Sequence, residues 1–368
     1  MKDDISEPEQ STFTDSDTGA RVRQMTNHAS ISHPTYFLQS SFFPGDASLV
    51  FTSYRTGSSQ LFEAKFPEGT IRQMTDGDPI HPFSPAIHPS GECVVFVRGG
   101  SIWSVDARSL KEQLVATFQG AQLGECSLGG QGEWITAAIK HGSKNGLVTG
   151  RSDGRHWRII PFERTVIHPQ FHPLEPEWLI FAADPAPRMF RVRRDGTEME
   201  CLYRHGNDEF ILHETFLGET GDIAFVHWPH ALRRMNWRSR EISTIVEFNA
   251  WHITSNQAGT KVLCDTNHPD LGLFLIDAAT GERHKVCRSD ASGQGSQWRK
   301  SSYALNADFE AARSGAKQNL SWMETPADAV YGPQWTHPHP SFSHDERLVA
   351  FASDRTGMTQ VYVTELAP

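Results

Sequence analysis

A repeated unit limits the folds that are open to this sequence. A segment beginning at Ser40 reads SSFFPGDASLVFTSYRTGSSQLFEAKF, and a segment beginning at His339 reads HPSFSHDERLVAFASDRTGMTQVYVTEL. Each copy contains a short strand, a turn rich in Pro, Gly or Asp, a β-branched strand, an RTG turn and a third alternating strand. The two copies therefore define one structural unit, a small antiparallel sheet.

Five further copies of this unit lie between these two. Aligned on the turn after the first strand, the copies share one equivalent position, occupied by Gln39, Ser84, Glu125, His168, His213, His252 and His339. Successive positions are 39 to 45 residues apart, except for a last interval of 87. A strand-rich repeat of this length is typical of propeller blades. We therefore predict an all-β, seven-bladed β-propeller. The alternative, a β-sandwich or two smaller domains, would not explain the repeat.

The chain ends and the long interval complete the predicted organisation. RVRQMTNH at Arg21 repeats TIRQMTDGD at Thr70, so the N-terminal strand is expected to complete the last blade and close the ring. Residues 1–17 have little apolar content and are expected to form a disordered tail before a single propeller domain at 18–368. The long interval holds either an eighth blade or an insertion. We favour an inserted loop or helical segment at about 289–336, because no blade pattern recurs there.

Composition argues against several classes of function. A net charge of −10 disfavours nucleic-acid binding, which needs a concentrated basic surface. The acidic N-terminus lacks the apolar run of a signal peptide, and no stretch approaches the roughly 18 apolar residues of a membrane span. The five cysteines are scattered without a CxxC pair, which indicates neither a disulfide framework nor a thiolate zinc site. We expect a cytoplasmic protein without a membrane partner.

The register of the repeat turns scattered histidines into a predicted site. In a propeller the first strand of each blade lines the central channel, so equivalent positions form a ring at one depth. His168, His213, His252 and His339 fall on this ring. His337 points to the same face as His339, because side chains alternate along a strand. Imidazole suits divalent Mn, Fe, Ni or Zn, so the pattern favours a metal site over ordinary channel histidines.

The segment GPQWTHPHPSF has the highest density of candidate ligands. Gln334, His337 and His339 lie within six residues, and two prolines stiffen the backbone that carries them. Together with His252 at the same register, these residues make a set of four candidate metal ligands.

Around these residues the sequence resembles the oligogalacturonate lyases, seven-bladed propeller enzymes of pectin catabolism that use a divalent metal, typically manganese. The resemblance extends from about Thr18 to the end of the chain. Its most specific features are the QxTHPHPSF segment, the pair His213 and Glu214, the SNxxG turn after His252, and the pair Arg188 and Met189 before an RRDGT turn.

The resemblance implies a role for each of these residues. It makes the following residues ligands of Mn²⁺: His252, Gln334, His337 and His339. It makes His213 the base and Arg188 a substrate or catalytic partner. The implied reaction is a β-elimination, in which the base removes the C5 proton of a uronate, the C4 oxygen departs and a C4=C5 double bond forms. A histidine of ordinary pKa, about 6.5, is largely neutral near pH 7, so activity is expected to rise from mildly acidic towards neutral pH.

Other polar residues are weaker candidates, since each is as well explained by a solvated or paired side chain. Possible substrate-binding residues are His168, Glu125, Ser84 and Arg233, with His33, His81 and His172 as further sugar contacts. Blade edges or loops are expected for His227, His230 and His268. Two interpretations remain beside a lyase of short oligogalacturonides. One is a lyase of the same family acting on another uronate oligosaccharide, and the other is a non-catalytic sugar-binding or scaffold propeller.

Overall fold

Seven antiparallel sheets make up the described part of the chain. The computed structural model describes residues 2–206, 208–267, 269–293 and 333–366. Three short strands come first in the chain: β1 (Ile5–Ser6), β2 (Ser11–Thr14) and β3 (Arg21–Gln24). The later strands form the seven sheets in order, and consecutive strands are neighbours within each sheet. We call the sheets blades 1 to 7.

The first four blades contain the following strands. Blade 1 has β4 (Ser32–Pro34), β5 (Ser48–Ser53), β6 (Gln60–Lys65) and β7 (Ile71–Gln73). Blade 2 has β8 (Ala86–Ile87), β9 (Cys93–Arg98), β10 (Ser101–Asp106) and β11 (Glu112–Thr117). Blade 3 has β12 (Gln122–Gly129), β13 (Trp134–His141), β14 (Lys144–Arg151) and β15 (Arg158–Phe162). Blade 4 has β16 (Thr165–Phe171), β17 (Trp178–Asp184), β18 (Met189–Arg193) and β19 (Glu200–Cys201).

The last three blades contain the remaining strands. Blade 5 has β20 (Phe210–Phe216), β21 (Ile223–Trp228), β22 (Ala231–Met235) and β23 (Ile242–Val246). Blade 6 has β24 (Ile253–Ser255), β25 (Lys261–Cys264), β26 (Leu273–Asp277) and β27 (Arg283–Cys287). Blade 7 has β28 (Ser341–Phe342), β29 (Leu348–Ser353) and β30 (Gln360–Glu365). Short 3₁₀ helices lie at Gly218–Thr220 and Pro333–Thr336.

The blades pack face to face, so their central strands are buried on both sides. In β29, for example, every residue after Leu348 is buried. One core cluster joins Phe51 and Phe62 of blade 1 to Ala350 and Val361 of blade 7. Because apolar side chains fill both faces of a central strand, these strands are almost continuously apolar, whereas the outer strand β11 has no buried residue. The predicted seven-bladed propeller is confirmed.

The N-terminal strand closes the ring, as the repeat predicted. β3 pairs with β30 in antiparallel register, Val22 opposite Thr364. The Gln360 amide oxygen of blade 7 accepts a hydrogen bond from the Thr26 hydroxyl at 2.6 Å. In blade 1 the Thr75 hydroxyl donates to Gln60 at 2.8 Å. The RQMT sequences at both places therefore make the same contact, and the two ends of the chain hold one sheet together.

The residues before this strand differ from the expected disordered tail at 1–17. β2 adds a fifth strand to blade 7 by pairing with β3, and β1 adds a fifth strand to blade 1 by pairing with β7. Phe13 packs against the core cluster between blades 6 and 7. The expectation was based on the low apolar content, but a strand that joins an open sheet edge is held by backbone hydrogen bonds, which do not depend on composition.

The predicted insertion at about 289–336 lies mostly outside the described residues, which resume at Pro333. Among the described residues, no helix is long and apolar enough to cross a bilayer.

Val22 provides a test of the closure. Val22→Ala should lower the free energy of unfolding by about 2 kcal/mol, because the side chain is fully buried against Phe351 and Tyr362 and its truncation leaves a cavity. The matched control is Arg21→Ala on the same strand, where the side chain is 56% exposed and forms a surface ion pair with Glu365. That change should cost less than about 0.5 kcal/mol. Urea unfolding followed by circular dichroism measures both, and equal small losses would contradict the closure.

Candidate active site

Irregularities in the first strands turn the ring histidines towards the channel. The pairing register shifts between Ile167 and Gln170 in β16 and between Leu212 and Thr215 in β20. His168 and His213 occupy these irregularities with φ of 55° and 53°, and His339 has φ of 45°. A positive φ is unusual for residues other than glycine and is concentrated at functional sites. The shared conformation supports the predicted equivalence of these positions.

Three of the four predicted metal ligands converge. The ligand atoms of His252, His337 and His339 all lie within 4.8 Å of one another. All three residues are buried, and the ring centroids of His252 and His339 are 4.0 Å apart. Two nitrogens bound to opposite sides of one metal ion are about 4 Å apart when each bond is about 2.1 Å long. Small side-chain movements would therefore bring the three imidazoles into one coordination sphere.

The protonation of these histidines suits a metal site. Burial and the neighbouring His337 hold the pKa of His252 well below its ordinary value of 6.5. Burial and the nearby His252 do the same for the pKa of His339. Burial also lowers the pKa of His337. Among the described residues, Nε2 of His339 and Nδ1 of His337 are buried without a hydrogen-bond partner. Neutral imidazoles with unpartnered buried nitrogens fit a divalent cation.

Gln334, the fourth predicted ligand, lies on the short helix Pro333–Thr336, which leads directly into His337. Its side chain lies outside the described residues, so its predicted role as a ligand stays a prediction.

Asp265 was not singled out from the sequence, although it lies among the histidines. It follows β25 and is fully buried. Its Oδ2 is 2.8 Å from Nδ1 of His252, and its Oδ1 accepts the backbone N–H of His252 at 2.6 Å. Burial raises the pKa of Asp265 to about 7, against backbone N–H groups that favour the carboxylate. An Asp also ends the second strand in WLIFAAD and VAFASD, and this recurrence could have identified the position.

His213 adjoins the three-histidine cluster. Its ring centroid is 4.3 Å from that of His252 and 5.9 Å from that of His168. Burial, followed by the charges of His252 and His168, holds the pKa of His213 well below 6.5. Its Nδ1 has no hydrogen-bond partner among the described residues. His213 is therefore a neutral imidazole next to the candidate metal ligands, as a general base requires.

Arg188 lies beside His213 but is held by two carboxylates. Its Nε donates to Glu214 Oε1 at 2.9 Å, and its Nη1 donates to Asp184. All three residues are buried. Burial alone would lower the pKa of Arg188, but Asp184 and Glu214 raise it above its ordinary value. Burial likewise opposes ionisation of Glu214, yet Arg188 holds its pKa below the usual range. The guanidinium is thus fixed in a buried ion-pair network.

An aromatic loop from blade 1 fills the channel beside the histidines. Tyr36 and Phe37 are both buried, and the Phe37 ring centroid is 5.3 Å from those of His168, His213 and His252. The Tyr36 hydroxyl lies 3.0 Å from Nε2 of His168. The repeat did not predict this contact, because it assigned Gln39 of the same loop to the ring position of blade 1. The loop surrounds the histidines with apolar surface and limits their access to water.

The predicted substrate-binding residues fall into different environments. His168 lies in the site, where its Nδ1 is 3.5 Å from Glu214. Ser84 donates its hydroxyl to the His81 carbonyl and accepts from Val97, and this use is structural. Glu125 is buried and its charge acts on His81.

The remaining predicted substrate contacts and the histidines expected at blade edges or loops are distributed as follows. Arg233 lies on the third strand of blade 5 and pairs at 3.3 Å with Glu209, which directly precedes the first strand of that blade. His172 packs on Phe216 and Trp237. His33 is buried with its ring near Phe83. His227 and His230 flank the turn between β21 and β22, and His268 lies outside the described residues.

Comparison with known proteins shows similarity over the whole chain. The chain is 22% identical to a curated oligogalacturonide lyase of Pectobacterium atrosepticum and 21% identical to an oligogalacturonate lyase of Dickeya dadantii. In both cases the match covers 96% of this chain and 95% of the relative. The sequence matches no protein-family model.

Two solved structures share the fold. An oligogalacturonate lyase in complex with manganese superposes with a TM-score of 0.83, at 19% identity, covering 100% of this chain and 98% of that one. An oligogalacturonate lyase from Vibrio parahaemolyticus gives a TM-score of 0.80, also at 19% identity, with coverage of 100% and 99%. The resemblance predicted from the sequence motifs is therefore confirmed.

The Arg188 network predicts a pH-dependent loss of stability. A carboxylate whose pKa is depressed by folding stabilises the fold above its ordinary pKa of 4.5 and loses this contribution as the pH falls. Glu214→Gln should therefore cost about 3 kcal/mol at pH 7, and the difference from wild type should shrink below pH 4.5.

Glu200→Gln is the control, because Glu200 is 46% exposed and pairs with Arg191 at the surface. It should change stability by less than about 1 kcal/mol. Urea unfolding in the presence of a chelator, at several pH values, measures both variants. A gap for Glu214→Gln that stays constant down to pH 3 would contradict the assignment.

Proposed function

We propose that this chain is a divalent-metal-dependent lyase that cleaves short oligogalacturonides by β-elimination. The observation that carries the proposal is the convergence of His252, His337 and His339 within 4.8 Å beside the buried His213. The full-length similarity to oligogalacturonate lyases supports the same substrate class and manganese as the metal.

The reaction makes one chemical demand, because the C5 proton of a uronate is only weakly acidic. Removing it places negative charge on the adjacent carboxylate as an enediolate develops. A divalent cation would be held by His252, Gln334, His337 and His339 and would supply Lewis-acid stabilisation of that charge, a contribution typically worth several kcal/mol.

His213 is the residue assigned to proton removal. A base must be unprotonated before it reacts, and burial keeps the pKa of His213 well below 6.5. The acid limb of activity that depends on His213 should therefore lie below pH 6.5, lower than an ordinary histidine would place it. The Phe37 ring lies 5.3 Å from this imidazole, and such an apolar neighbour favours the neutral form because it cannot solvate the charged one.

The role proposed for Arg188 is to position the base. Its guanidinium is bonded to Asp184 and to Glu214, the residue that directly follows His213. The ion pair fixes the backbone at the position where His213 departs from regular strand geometry. If Arg188 also contacted the substrate directly, its guanidinium would have to bind the substrate while it is bonded to Asp184 and Glu214.

The charge of the site also argues for a cation. Arg188 carries one positive charge against the carboxylates of Asp184 and Glu214, and the chain as a whole has a net charge of −10. An oligouronate carries one negative charge per sugar. The buried side chains do not by themselves attract such a ligand, and a bound divalent cation reverses the local balance.

The proposed location is the cytoplasm. All five cysteines are free in the structure, as is usual in a reducing compartment. The products would be 4,5-unsaturated uronates that enter carbohydrate catabolism as part of pectin degradation.

Substrate trials test the proposal directly. Metal-replete protein is incubated with di- and trigalacturonate and, in parallel, with short oligomers of other uronates. Ultraviolet absorbance of the conjugated C4=C5 product follows the reaction. Cleavage of galacturonate oligomers is expected. Cleavage of another uronate alone would replace the substrate, and absence of product from all of them would overturn the lyase function.

His213→Gln should lower kcat by about 10³-fold, because a positioned general base typically contributes 10²- to 10⁴-fold. Manganese affinity should be retained, since His213 is not among the candidate metal ligands. The control is His230→Gln on the exposed turn after β21, which should keep full activity. Steady-state kinetics measures both, and unchanged kcat in His213→Gln would remove its role.

Chelation followed by dialysis should abolish activity, and added Mn²⁺ should restore it. His339→Ala should weaken Mn²⁺ binding at least 100-fold, because it removes one of three clustered nitrogens. His344→Ala is the control, since His344 lies five residues further along the chain, is 44% exposed and contacts Asp46. Titration of free Mn²⁺ by electron paramagnetic resonance measures the affinities, and equal affinity in both variants would contradict the site.

A further inference from the structure

Asp265 connects two ligand-bearing segments that belong to different blades. Its carboxylate accepts the backbone N–H of His252 in blade 6 at 2.6 Å and the backbone N–H of His339 in blade 7 at 3.2 Å. The oxygen that accepts the N–H of His339 is Oδ2, and this atom also lies 2.8 Å from Nδ1 of the His252 ring. The carboxylate is fully buried. These side-chain hydrogen bonds therefore all end on two candidate metal ligands.

We propose that Asp265 is the positioning residue of the metal site, which fixes the spacing of His252 and His339 and selects the ring nitrogen that His252 offers to the cation. This inference rests on the proposed function, since it assumes that the three histidines hold a metal. It adds a residue that no sequence motif assigned.

The choice of nitrogen follows from the hydrogen bond. A neutral imidazole carries one N–H and one lone pair. With Nδ1–H donating to Asp265, the lone pair of His252 is on Nε2, and this is the nitrogen that remains for a ligand. Metal-bound histidines commonly donate their second ring N–H to a carboxylate, which fixes the ring orientation and increases the basicity of the ligand.

The spacing follows from the two backbone bonds. His252 and His339 are far apart in sequence and reach the axis from neighbouring sheets. A single rigid carboxylate that binds both backbones sets the distance between these segments directly. This reduces the conformational freedom that would be lost on binding a metal, and a preorganised site binds more tightly.

The charges around Asp265 also support a cation bound at His252. Its ion-pair contact within the described part of the chain is with His252, whereas the buried Glu214 pairs with Arg188. A buried carboxylate is costly unless a positive charge compensates it. A divalent cation on His252 would provide that charge one imidazole away. Asp265 is not itself part of the cluster whose ligand atoms lie within 4.8 Å, so it acts through His252.

Asp265→Asn tests the inference, with Mn²⁺ affinity as the measurement. Asparagine keeps the size of the side chain but replaces one acceptor oxygen with an NH₂ donor, which would face an N–H of His252 or His339. Mn²⁺ binding, followed by electron paramagnetic resonance without substrate, should weaken 10- to 100-fold. Asp222→Asn is the matched control, because Asp222 is also buried and accepts the backbone N–H of Trp237, and its partners among the described residues do not include His252, His337 or His339. It should bind Mn²⁺ as the wild type does.

A folded Asp265→Asn variant with wild-type affinity would overturn the inference, and so would an equal loss in Asp222→Asn. If Asp265→Asn does not fold, a measurement on the wild-type protein tests the inference instead. Its ¹⁵N-labelled histidines, observed by NMR without metal, should show His252 as the Nδ1–H tautomer, assigned by loss of the signal in His252→Gln. An Nε2–H tautomer would contradict the proposal.

The two proposals fail in different ways. Tight Mn²⁺ binding that depends on Asp265, without cleavage of any uronate oligomer, would sustain this inference and reject the lyase function. A wild-type chain that binds no divalent metal would overturn both.

Discussion

Closure of the blades into a ring is the constraint on which the rest of this structure depends. The ring is completed when β3 pairs with β30, and the hydrogen bond of Thr26 to Gln360 repeats the one that Thr75 makes to Gln60 inside a single blade. Closure brings the first strands of all blades to one axis. Residues that are separated by more than 80 positions in sequence, such as His252 and His339, then have ring centroids only 4.0 Å apart. His252 and His339 are carried by separate sheets, blades 6 and 7, so the distance between them depends on how these neighbouring blades pack.

The site combines neutral and charged groups that are all removed from water. Burial lowers the pKa of each clustered histidine and so leaves the imidazoles able to bind a cation or accept a proton. The two buried charged groups, Arg188 and Asp265, have different partners. Arg188 is compensated by Asp184 and Glu214, whereas Asp265 faces a histidine. The arrangement gives the metal cluster and the candidate base separate supports, one in blades 6 and 7 and one in blades 4 and 5.

Much of this organisation could be predicted from the sequence because the copies of a repeat can be aligned with one another, and the alignment shows which positions are equivalent. The register placed His252, His337 and His339 together, and the structure brings them together. It placed His213 next to them, and the ring contact with His252 agrees. One segment was expected to be disordered and another was not predicted at all, and the physical reason is the same for both. The strands formed by residues 5–6 and 11–14, and the loop carrying Tyr36 and Phe37, are defined by what they pack or pair against and not by their composition.

The sequence by itself determined the number of blades, the strand that closes the ring and the set of histidines that share one depth, since each of these follows from periodicity. Only the tertiary structure decided which groups those histidines face. Asp265 bonds to residues 13 and 74 positions away, and Arg188 is paired with Asp184 and Glu214. Such contacts depend on the distance between neighbouring sheets and on burial. Neither is encoded in a repeat, because a repeat describes each blade alone and the chemistry of this site lies between blades.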